Sequence, residues 1–299
     1  MSLLVVGSIA YDSVKTPFGK KDKVLGGSAL YCGLAASFFV PVNLVAVVGS
    51  DFSKRHLKFL RERGIDTKGL QIKKGKTFRW KAEYSYDLNM RKTLATHLNV
   101  LRNFKPKLPE SYKDSKYIFL ANLDPDLQHM VLDELNCPKL VACDTMNLWI
   151  ERKRGSLMKL LKRVEIFIIN ESEARELTAE PNLIKAGRKI CNLGPKMVIL
   201  KKGEDGALFF GKHFKFLSVA YPLESVYDPT GSGDVFAGGF MGYLTKQNKL
   251  TKSSFKKALI YGTILASFNV ESFSIERLKK LCRKDIDKRY KELKRLTHF

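Results

Sequence analysis

The sequence lacks several features that would assign it to other classes of protein. It contains no run of about 18 or more apolar residues, so no transmembrane helix is expected. Its five cysteines are scattered and none forms a C-x-x-C pair, which argues against a zinc site and against a disulfide framework. The first residues, MSLLVVGSIAYD, carry no basic segment and are typical of a buried strand rather than a signal peptide. A reducing, cytoplasmic location is predicted, with no membrane partner.

The charge balance is strongly basic, with 53 Lys and Arg residues against 30 acidic residues and a net charge of +23. Such a charge is compatible with nucleic-acid binding. However, the basic residues spread along the whole chain and accompany no RRM, zinc-finger or other recognition pattern. Attraction of a phosphorylated small ligand explains the charge at least as well, so nucleic acid is not expected as a partner.

Short apolar runs alternate with longer segments of helical spacing. The runs predicted to be fully buried strands are Leu3–Val6, 44–48, 117–121, 140–143, 166–169 and 198–200. The segments of helical spacing are 29–39, 56–63, one running from 173 toward 190, and the Lys- and Arg-rich amphipathic segment 276–299. This alternation predicts an α/β fold with a parallel sheet covered by helices on both faces. The length of 299 residues allows one large domain or two small ones.

One segment, TFRWKAEYSYDL at 77–88, departs from this rhythm and alternates with period two. Aromatic residues such as Trp80 and Tyr84 share one face, while charged residues such as Arg79 share the other. The pattern predicts a half-exposed antiparallel strand. The turn-like NMRK and the weaker alternation of TLATHLNV complete a hairpin outside the main sheet, joined by residues near 10–17. Its aromatic face must be covered by a substrate, the main domain or the same sheet of a second subunit.

The stretch DPTGSGDVFAGG at 228–239 concentrates small residues immediately before a predicted helix. Glycines allow backbone angles closed to other residues, so successive N–H groups can converge on one point. If Asp234 opens the helix, these groups form an anion hole for a transferred phosphoryl group, and Asp234 can accept the proton of an attacking hydroxyl. The alternative is a glycine-rich loop in which Asp234 only caps the helix. Residue types alone do not separate the two.

Asn170 and Glu173 follow the apolar run 166–169, at the edge where ligands bind in open α/β sheets. Their oxygens could hold hydrated Mg²⁺. The alternative, a helix N-cap followed by a surface Glu, is favoured when these residues are taken alone. Two other glycine patterns are rejected: GLQIKKGKT has the wrong spacing for a P-loop, and VVGSIAYD lacks the glycines of a nicotinamide-binding Rossmann motif.

Together these motifs resemble the ribokinase-like, or PfkB, family of carbohydrate kinases over nearly the whole chain. The resemblance implies one domain, 1–299, with a three-layer α/β/α fold around a doubly wound, mostly parallel sheet. A small β-sheet lid is implied at about 10–24 and 77–100. The family's C-terminal signature is similar to DPTGSGD, which makes Asp234 the catalytic base and assigns the anion hole to Gly231, Ser232 and Gly233.

The resemblance implies ATP and Mg²⁺ as cofactors. Asn170 and Glu173 match the N-x-x-E motif associated with Mg²⁺ and phosphate, with the metal held through water. The other residues assigned to the nucleotide are Lys201, Gly203 and Gly206 in KKGEDGA, Thr230 in the signature, and Gly262 and Asn269 in YGTILASFNV.

The resemblance also assigns residues to the phosphoryl acceptor. Asp12 in GSIAYD would bind its hydroxyls, and Gly26 and Gly27 of GGSALYCGLAA would approach it closely. Tyr31 stands where many sugar kinases have an Asn that binds the sugar. The stretch DTMNLW replaces the usual D-P-N-x-R, keeping Asp144 and Asn147 as acceptor residues but no Arg. Ribokinase-type or 2-keto-3-deoxygluconate specificity is therefore not favoured.

The predicted function is ATP-dependent phosphorylation of a hydroxyl on a sugar or sugar-like small molecule. Aromatic residues such as Tyr31, Trp80 and Trp149 could stack on a base, which keeps a nucleoside kinase as an alternative. Arg79 and Lys81 could instead meet a phosphate on a sugar-phosphate acceptor. An alternative of another class is a non-catalytic, basic nucleic-acid-binding protein. A homodimer through the lid sheet is a further expectation, and it rests on the resemblance alone.

Overall fold

The computed structural model describes residues 1–211 and 214–298. Its strands are β1 (Leu3–Val6), β2 (Ala10–Thr16), β3 (Gly19–Gly26), β4 (Val42–Gly49), β5 (Ile65–Lys73), β6 (Phe78–Tyr84), β7 (Arg91–His97), β8 (Tyr117–Leu120), β9 (Leu140–Asp144), β10 (Ile166–Asn170), β11 (Met197–Lys201), β12 (Ala207–Phe210) and β13 (Lys215–Ser218). Its helices are α1 (Ser28–Ser37), α2 (Lys54–Glu62), α3 (Glu110–Lys113), α4 (Pro125–Asp133), α5 (Asn147–Arg152), α6 (Arg154–Leu161), α7 (Glu171–Thr178), α8 (Leu183–Cys191), α9 (Ser232–Gln247), α10 (Lys252–Asn269), α11 (Glu276–Lys280) and α12 (Arg283–Leu296). Short 3-10 helices lie at Asn99–Asn103 and Gly203–Asp205.

The main sheet has nine strands in the order β13-β12-β11-β10-β9-β8-β1-β4-β5. The pairs from β11 through to β5 are parallel, and β12 and β13 add antiparallel pairs at one edge. Successive side chains of β1 point to opposite faces, and all four are fully buried. A sheet buried on both faces explains why its strands are continuous apolar runs instead of alternating ones.

Helices cover both faces of this sheet and form two cores. Leu3 and Val5 belong to the core that contains α1, α9 and α10, while Leu4 and Val6 belong to the core that contains α4, α6 and α8. The predicted three-layer α/β/α fold is therefore confirmed. No helix within residues 1–211 and 214–298 is both long and apolar enough to cross a membrane.

A second sheet has four strands in the order β3-β2-β6-β7. The predicted hairpin is present as the antiparallel pair β6–β7, and β6 joins β2 in parallel. The period-two pattern continues to Leu88, but β6 ends at Tyr84, and Tyr86 is fully exposed in the turn. Asp51 fixes the base of the hairpin by accepting hydrogen bonds from the backbone N–H and the hydroxyl of Thr77, at 2.7 and 2.6 Å.

Two helical segments differ from the sequence prediction. The segment from 173 toward 190 is two helices, because Ala179 adopts a left-handed conformation after α7 and Asn182 caps the start of α8. The C-terminal segment is also two helices, α11 and α12, separated at Leu281 and Cys282. Its predicted apolar face is nevertheless buried on the body, and its last residue, Phe299, lies outside the described residues.

Candidate active site

The loop of residues 228–231 leads directly into α9. Gly231 precedes the helix with a φ of 77°, a left-handed conformation that favours glycine. The sequence suggested that Asp234 opens the helix. The helix begins instead at Ser232, and Asp234 lies in its first turn. The alternative in which Asp234 caps the helix is therefore wrong.

Three backbone N–H groups at this turn are free to bind an anion. The N–H of Ser232 donates to the carbonyl of Pro229 at 3.1 Å, which completes the turn. Those of Gly231, Gly233 and Asp234 meet no acceptor in the described part of the chain. Because they lie at the positive end of a 16-residue helix, they suit a phosphoryl group. The anion hole was predicted to use Gly231, Ser232 and Gly233, but among the described residues the amide without an acceptor is that of Asp234 and not that of Ser232.

Two buried side chains hold this loop in place. Asp228 accepts hydrogen bonds from the N–H groups of Thr230 and Ser274 at 2.9 and 3.2 Å. Asn269, which is fully buried, donates from its amide to the carbonyl of Thr230 at 2.9 Å. Asn269 was predicted to line the nucleotide pocket. The structure places it behind the loop of residues 228–231, which is called the anion-binding loop after its proposed role.

The carboxyl ends of three adjacent strands bring polar groups to the same edge. Asp144, Asn170 and Lys201 are the last residues of β9, β10 and β11. The ammonium of Lys201 lies 2.9 Å from a carboxylate oxygen of Asp144. It also lies directly beside Gly233, where a Cβ atom would come within 2.9 Å of it. The sheet edge and the first turn of α9 therefore form one cluster.

Burial controls ionisation in this cluster. It raises the pKa of Asp234 to about 7, with Asp144 adding to the rise and Lys201 opposing it. It also raises the pKa of Glu173 to about 7. Burial disfavours the charged form of Lys201, but the carboxylates of Asp144, Glu173 and Asp234 outweigh it and raise its pKa. Asp234 can thus bind or release a proton near neutral pH.

Asn170 and Glu173 form the predicted cap of a helix. The Asn170 side chain accepts from the Glu173 N–H at 2.8 Å, and Glu173 accepts from the Asn170 N–H at 3.1 Å. Glu173 is buried and is not the surface residue of that alternative. One carboxylate oxygen of Glu173 remains without a partner among the described residues, which fits an indirect contact to hydrated Mg²⁺. No group of three or more His, Cys, Asp or Glu side chains that could hold a metal ion occurs in residues 1–211 and 214–298.

A further carboxyl group faces the cluster from the smaller sheet. Asp12 in β2 is buried, and burial raises its pKa to about 8, with Asp228 and Asp234 adding to the rise. Gly26 lies against it so closely that a Cβ atom would come within 1.8 Å of a carboxylate oxygen. Gly27 follows with a φ of 99° and its N–H stabilises the charged form of Asp12. These predicted acceptor residues are brought together.

Tyr31 lies between the acceptor side and the anion-binding loop. Its ring packs on Gly231, where a Cβ atom would come within 2.5 Å of it. Its hydroxyl is buried and has no hydrogen-bond partner in the described structure. The hydroxyl is therefore a buried hydrogen-bonding group whose partner is missing from the described residues, and burial raises its pKa, with the nearby carboxylate of Asp12 adding to the rise.

Three predicted site residues lie elsewhere. Arg79 is on the face of β6 opposite to Trp80, and its guanidinium pairs with Asp51 at 3.3 Å, so it does not face Asp12. Gly262 lies in the contact between α9 and α10, where a Cβ atom would come within 2.7 Å of the Phe236 carbonyl. Asn147 is exposed at the start of α5.

The remaining predicted residues border the cluster. Gly203 and Gly206 shape the loop after β11 with φ values of 54° and 93°. The indole of Trp149 donates to Asn122 at 2.8 Å, so its polar edge is engaged within the protein.

Sequence reasoning missed the contribution of the hairpin. The hydroxyl of Thr230 donates to the hydroxyl of Tyr84 at 3.3 Å, which ties β6 to the anion-binding loop. Arg91 was assigned to a turn, but it is the first residue of β7. Its positive charge lowers the pKa of Asp234 and of Glu173, against the effect of burial. The alternation of β6 placed Tyr84 on the covered face, but no local signal indicated what would cover it.

The family model for pfkB carbohydrate kinases matches residues 5–277. The chain belongs to the pfkB family of carbohydrate kinases. A cytidine kinase from Thermococcus kodakarensis is 31% identical over 250 residues, covering 81% of this chain and 88% of that protein. This kinase is therefore a phosphotransferase of the sugar and nucleoside kinase type, and the alternative of a non-catalytic nucleic-acid-binding protein is not supported.

Solved structures share the fold of this pfkB kinase. The nucleoside kinase of Methanocaldococcus jannaschii superposes with a TM-score of 0.77 at 18% identity, covering 97% of this chain and 98% of that one. A ribokinase II candidate from E. coli, in complex with ATP and Mg²⁺, superposes with a TM-score of 0.80 at 17% identity, covering 97% and 99%. The predicted ribokinase-like fold is confirmed.

Proposed function

We propose that this kinase transfers the γ-phosphoryl group of ATP to a ribose hydroxyl of a nucleoside, with Asp234 as the general base. The observation that carries the proposal is the position of Asp234, in the first turn of α9 beside three N–H groups without an acceptor in the described structure. A proton acceptor and an anion hole within one helical turn meet the main requirements of phosphoryl transfer to an alcohol.

Each bond that forms in this transfer is matched by one that breaks, and the released proton has an acceptor. The acceptor oxygen loses its proton to Asp234 and forms a bond to the γ-phosphorus, while the bond from that phosphorus to the bridging oxygen breaks and ADP leaves. The amides of Gly231, Gly233 and Asp234 stabilise the charge on the phosphoryl oxygens. Glu173 would hold Mg²⁺ through water, and the ion would neutralise charge on the phosphates when bound.

Asp12 and Tyr31 are the proposed acceptor contacts. With a pKa of about 8, Asp12 is largely protonated at neutral pH in the free enzyme and can both donate and accept a hydrogen bond. The unpartnered hydroxyl of Tyr31 gives a second contact from the same side. Trp80 is paired with Asp12 across β2 and β6, so both side chains are on one face of the sheet. Its ring offers a surface on which a base can stack.

The similarity to a cytidine kinase favours a nucleoside over a simple sugar as acceptor. A sugar phosphate is less favoured as the acceptor. Arg79, which was predicted to contact the phosphate of such an acceptor, pairs with Asp51 on the opposite face of the small sheet.

The acceptor is tested by measuring ADP release from Mg²⁺-ATP with cytidine, uridine, adenosine, ribose and fructose 6-phosphate. We expect a nucleoside, cytidine first, to give a kcat/KM at least about tenfold above that of ribose, since the base adds contacts that ribose lacks. Equal or greater activity with ribose or fructose 6-phosphate would contradict the nucleoside assignment while leaving the role of Asp234 open to its own test.

A further inference from the structure

The C-terminal helix α12 carries an arginine on its inner face. The helix follows residue 277, the last residue that the family model matches. Ile286, Arg289 and Leu293 recur at spacings of three and four residues, so they lie on one face of the helix. Ile286 and Leu293 are buried in the core, and the Arg289 side chain is only 14% exposed. A cation held on the apolar face of a helix needs partners there.

The partners of Arg289 lie at the carboxyl end of α10. Its two terminal nitrogens donate to the hydroxyl of Ser267 at 3.0 Å and to a carboxylate oxygen of Glu271 at 2.5 Å. Its guanidinium carbon lies 3.5 Å from the ring centre of Phe268. These three contacts lie on both sides of Asn269, the last residue of α10. The positive charge is also favourable there, because the helix dipole places partial negative charge at the carboxyl end.

The same end of α10 supports the anion-binding loop. Asn269 donates to the carbonyl of Thr230 at 2.9 Å. The carbonyl of Val270 accepts hydrogen bonds from the N–H groups of Tyr227 and Asp228 at 2.8 and 3.4 Å. Because these bonds reach both the start and the middle of the loop, a displacement of the end of α10 would displace the amides of the loop as well.

Arg289 also contacts the segment that leads into the loop. Its guanidinium carbon lies 4.5 Å from the ring centre of Tyr221, in the segment 219–227 between β13 and the loop. Arg289 therefore joins the end of α10 to the chain that precedes residue 228. A guanidinium that meets two rings and two hydrogen-bond acceptors is not replaced by the point charge of a lysine.

We propose that Arg289 is a positioning residue for phosphoryl transfer. It fixes the end of α10 and the segment 219–227, and through Asn269 and Val270 it sets where the amides of the anion hole lie. The proposal rests on the proposed role of the anion-binding loop in the reaction. Since a misplacement of about 1 Å can lower a rate by about 100-fold, a loop held less firmly should slow the transfer more than it weakens acceptor binding.

Arg283 provides a matched control on the same helix. Its guanidinium carbon lies 4.8 and 5.3 Å from the ring centres of Phe39 and Tyr261, and Tyr261 is in the middle of α10. Arg283→Ala therefore removes a comparable contact of α12 with the body of the protein and leaves the end of α10 untouched.

Hydrogen exchange of the ligand-free protein tests the proposal without any acceptor. We would measure deuterium uptake of the peptide covering residues 226–235 in wild type, Arg289→Ala, Arg289→Lys and Arg283→Ala. Arg289→Ala should raise the exchange rate of this peptide by about tenfold, because the end of α10 would open more often and release the bonds to the loop. Arg289→Lys should lie between Arg289→Ala and wild type, and Arg283→Ala should match wild type.

Turnover provides the second readout, at a temperature well below the lowest Tm of the set. With the best nucleoside, Arg289→Ala should lower kcat by about 10- to 100-fold and change the nucleoside KM by less than about threefold. Arg283→Ala should leave both within about twofold of wild type. If Arg289→Ala does not fold, Arg289→Lys carries both comparisons.

Three results would overturn the proposal: unchanged exchange of residues 226–235 in Arg289→Ala, a kcat of this variant within about twofold of wild type, or equal effects of Arg289→Ala and Arg283→Ala. If no nucleoside is phosphorylated but exchange rises in the Arg289 variants alone, the nucleoside assignment fails and the role of Arg289 in holding the loop stands.

Discussion

Three carboxyl groups, those of Asp12, Glu173 and Asp234, have pKa values raised to about 8, 7 and 7, and burial is the first cause in each case. An isolated buried carboxylate is costly, so each group holds its proton to a higher pH than it would in the unfolded chain. For Asp234 this matches a general base that operates near neutral pH.

The raised pKa of Asp12 predicts a specific pH dependence of stability. The folded protein keeps the Asp12 proton up to about pH 8, whereas the unfolded chain loses it near pH 4, so this carboxyl lowers the free energy of unfolding as pH rises between these values. Asp12→Asn cannot ionise. The difference in Tm between Asp12→Asn and wild type, without ligands, should therefore increase from about pH 5 to about pH 8.5.

Asp22 provides the control for this measurement. Its hydrogen bond to Lys20 lowers its pKa, so Asp22 is ionised in both folded and unfolded protein across that range. Asp22→Asn should give a difference in Tm that stays flat with pH. A flat difference for Asp12→Asn as well would contradict the account of Asp12 as a buried carboxyl that keeps its proton.

At the scale of elements, the hairpin shows what the sequence could and could not predict. The strict alternation of β6 predicted its strand and placed Arg79 and Trp80 on opposite faces, so the two could not both face the acceptor. Asp144, Asn170 and Lys201 could be placed together, because parallel strands end at a common edge. The sequence could not place Arg91 near them, because its position depends on the register of β7 and on how the hairpin folds over α9.

The sequence also could not predict where a helical segment breaks or which distant residues come into contact. The long helical pattern after Glu173 contained the break at 179–182, which depends on a left-handed Ala179 that no propensity favours. The contact between Tyr31 and Gly231 joins residues 200 positions apart and has no local signal.

Arg79→Ala tests the placement of the hairpin base. The ion pair between Arg79 and Asp51 is partly exposed, so its loss should lower the free energy of unfolding by only about 0.5–1 kcal/mol, measured by urea denaturation. The nucleoside KM should change by less than about twofold, as for Lys81→Ala on the same face. A rise in the nucleoside KM of tenfold or more in Arg79→Ala, but not in Lys81→Ala, would contradict this placement and indicate that Arg79 contacts the acceptor.

For the whole molecule, the net charge of +23 accompanies a cluster whose proposed ligands are nucleotide phosphates. A positive potential of this size favours the approach of anionic ligands, and this effect weakens with added salt. Assembly through the second sheet and a cytoplasmic location both stay predictions.

The central claim is that Asp234 takes the proton of the acceptor hydroxyl. It is tested most directly by the single-turnover rate of phosphoryl transfer to the best acceptor in wild type and Asp234→Asn, with ATP-analogue binding and Tm measured on both. The account predicts that Asp234→Asn retains its fold and binds the nucleotide, while the transfer rate falls by at least about 100-fold. A transfer rate within about threefold of wild type would contradict it.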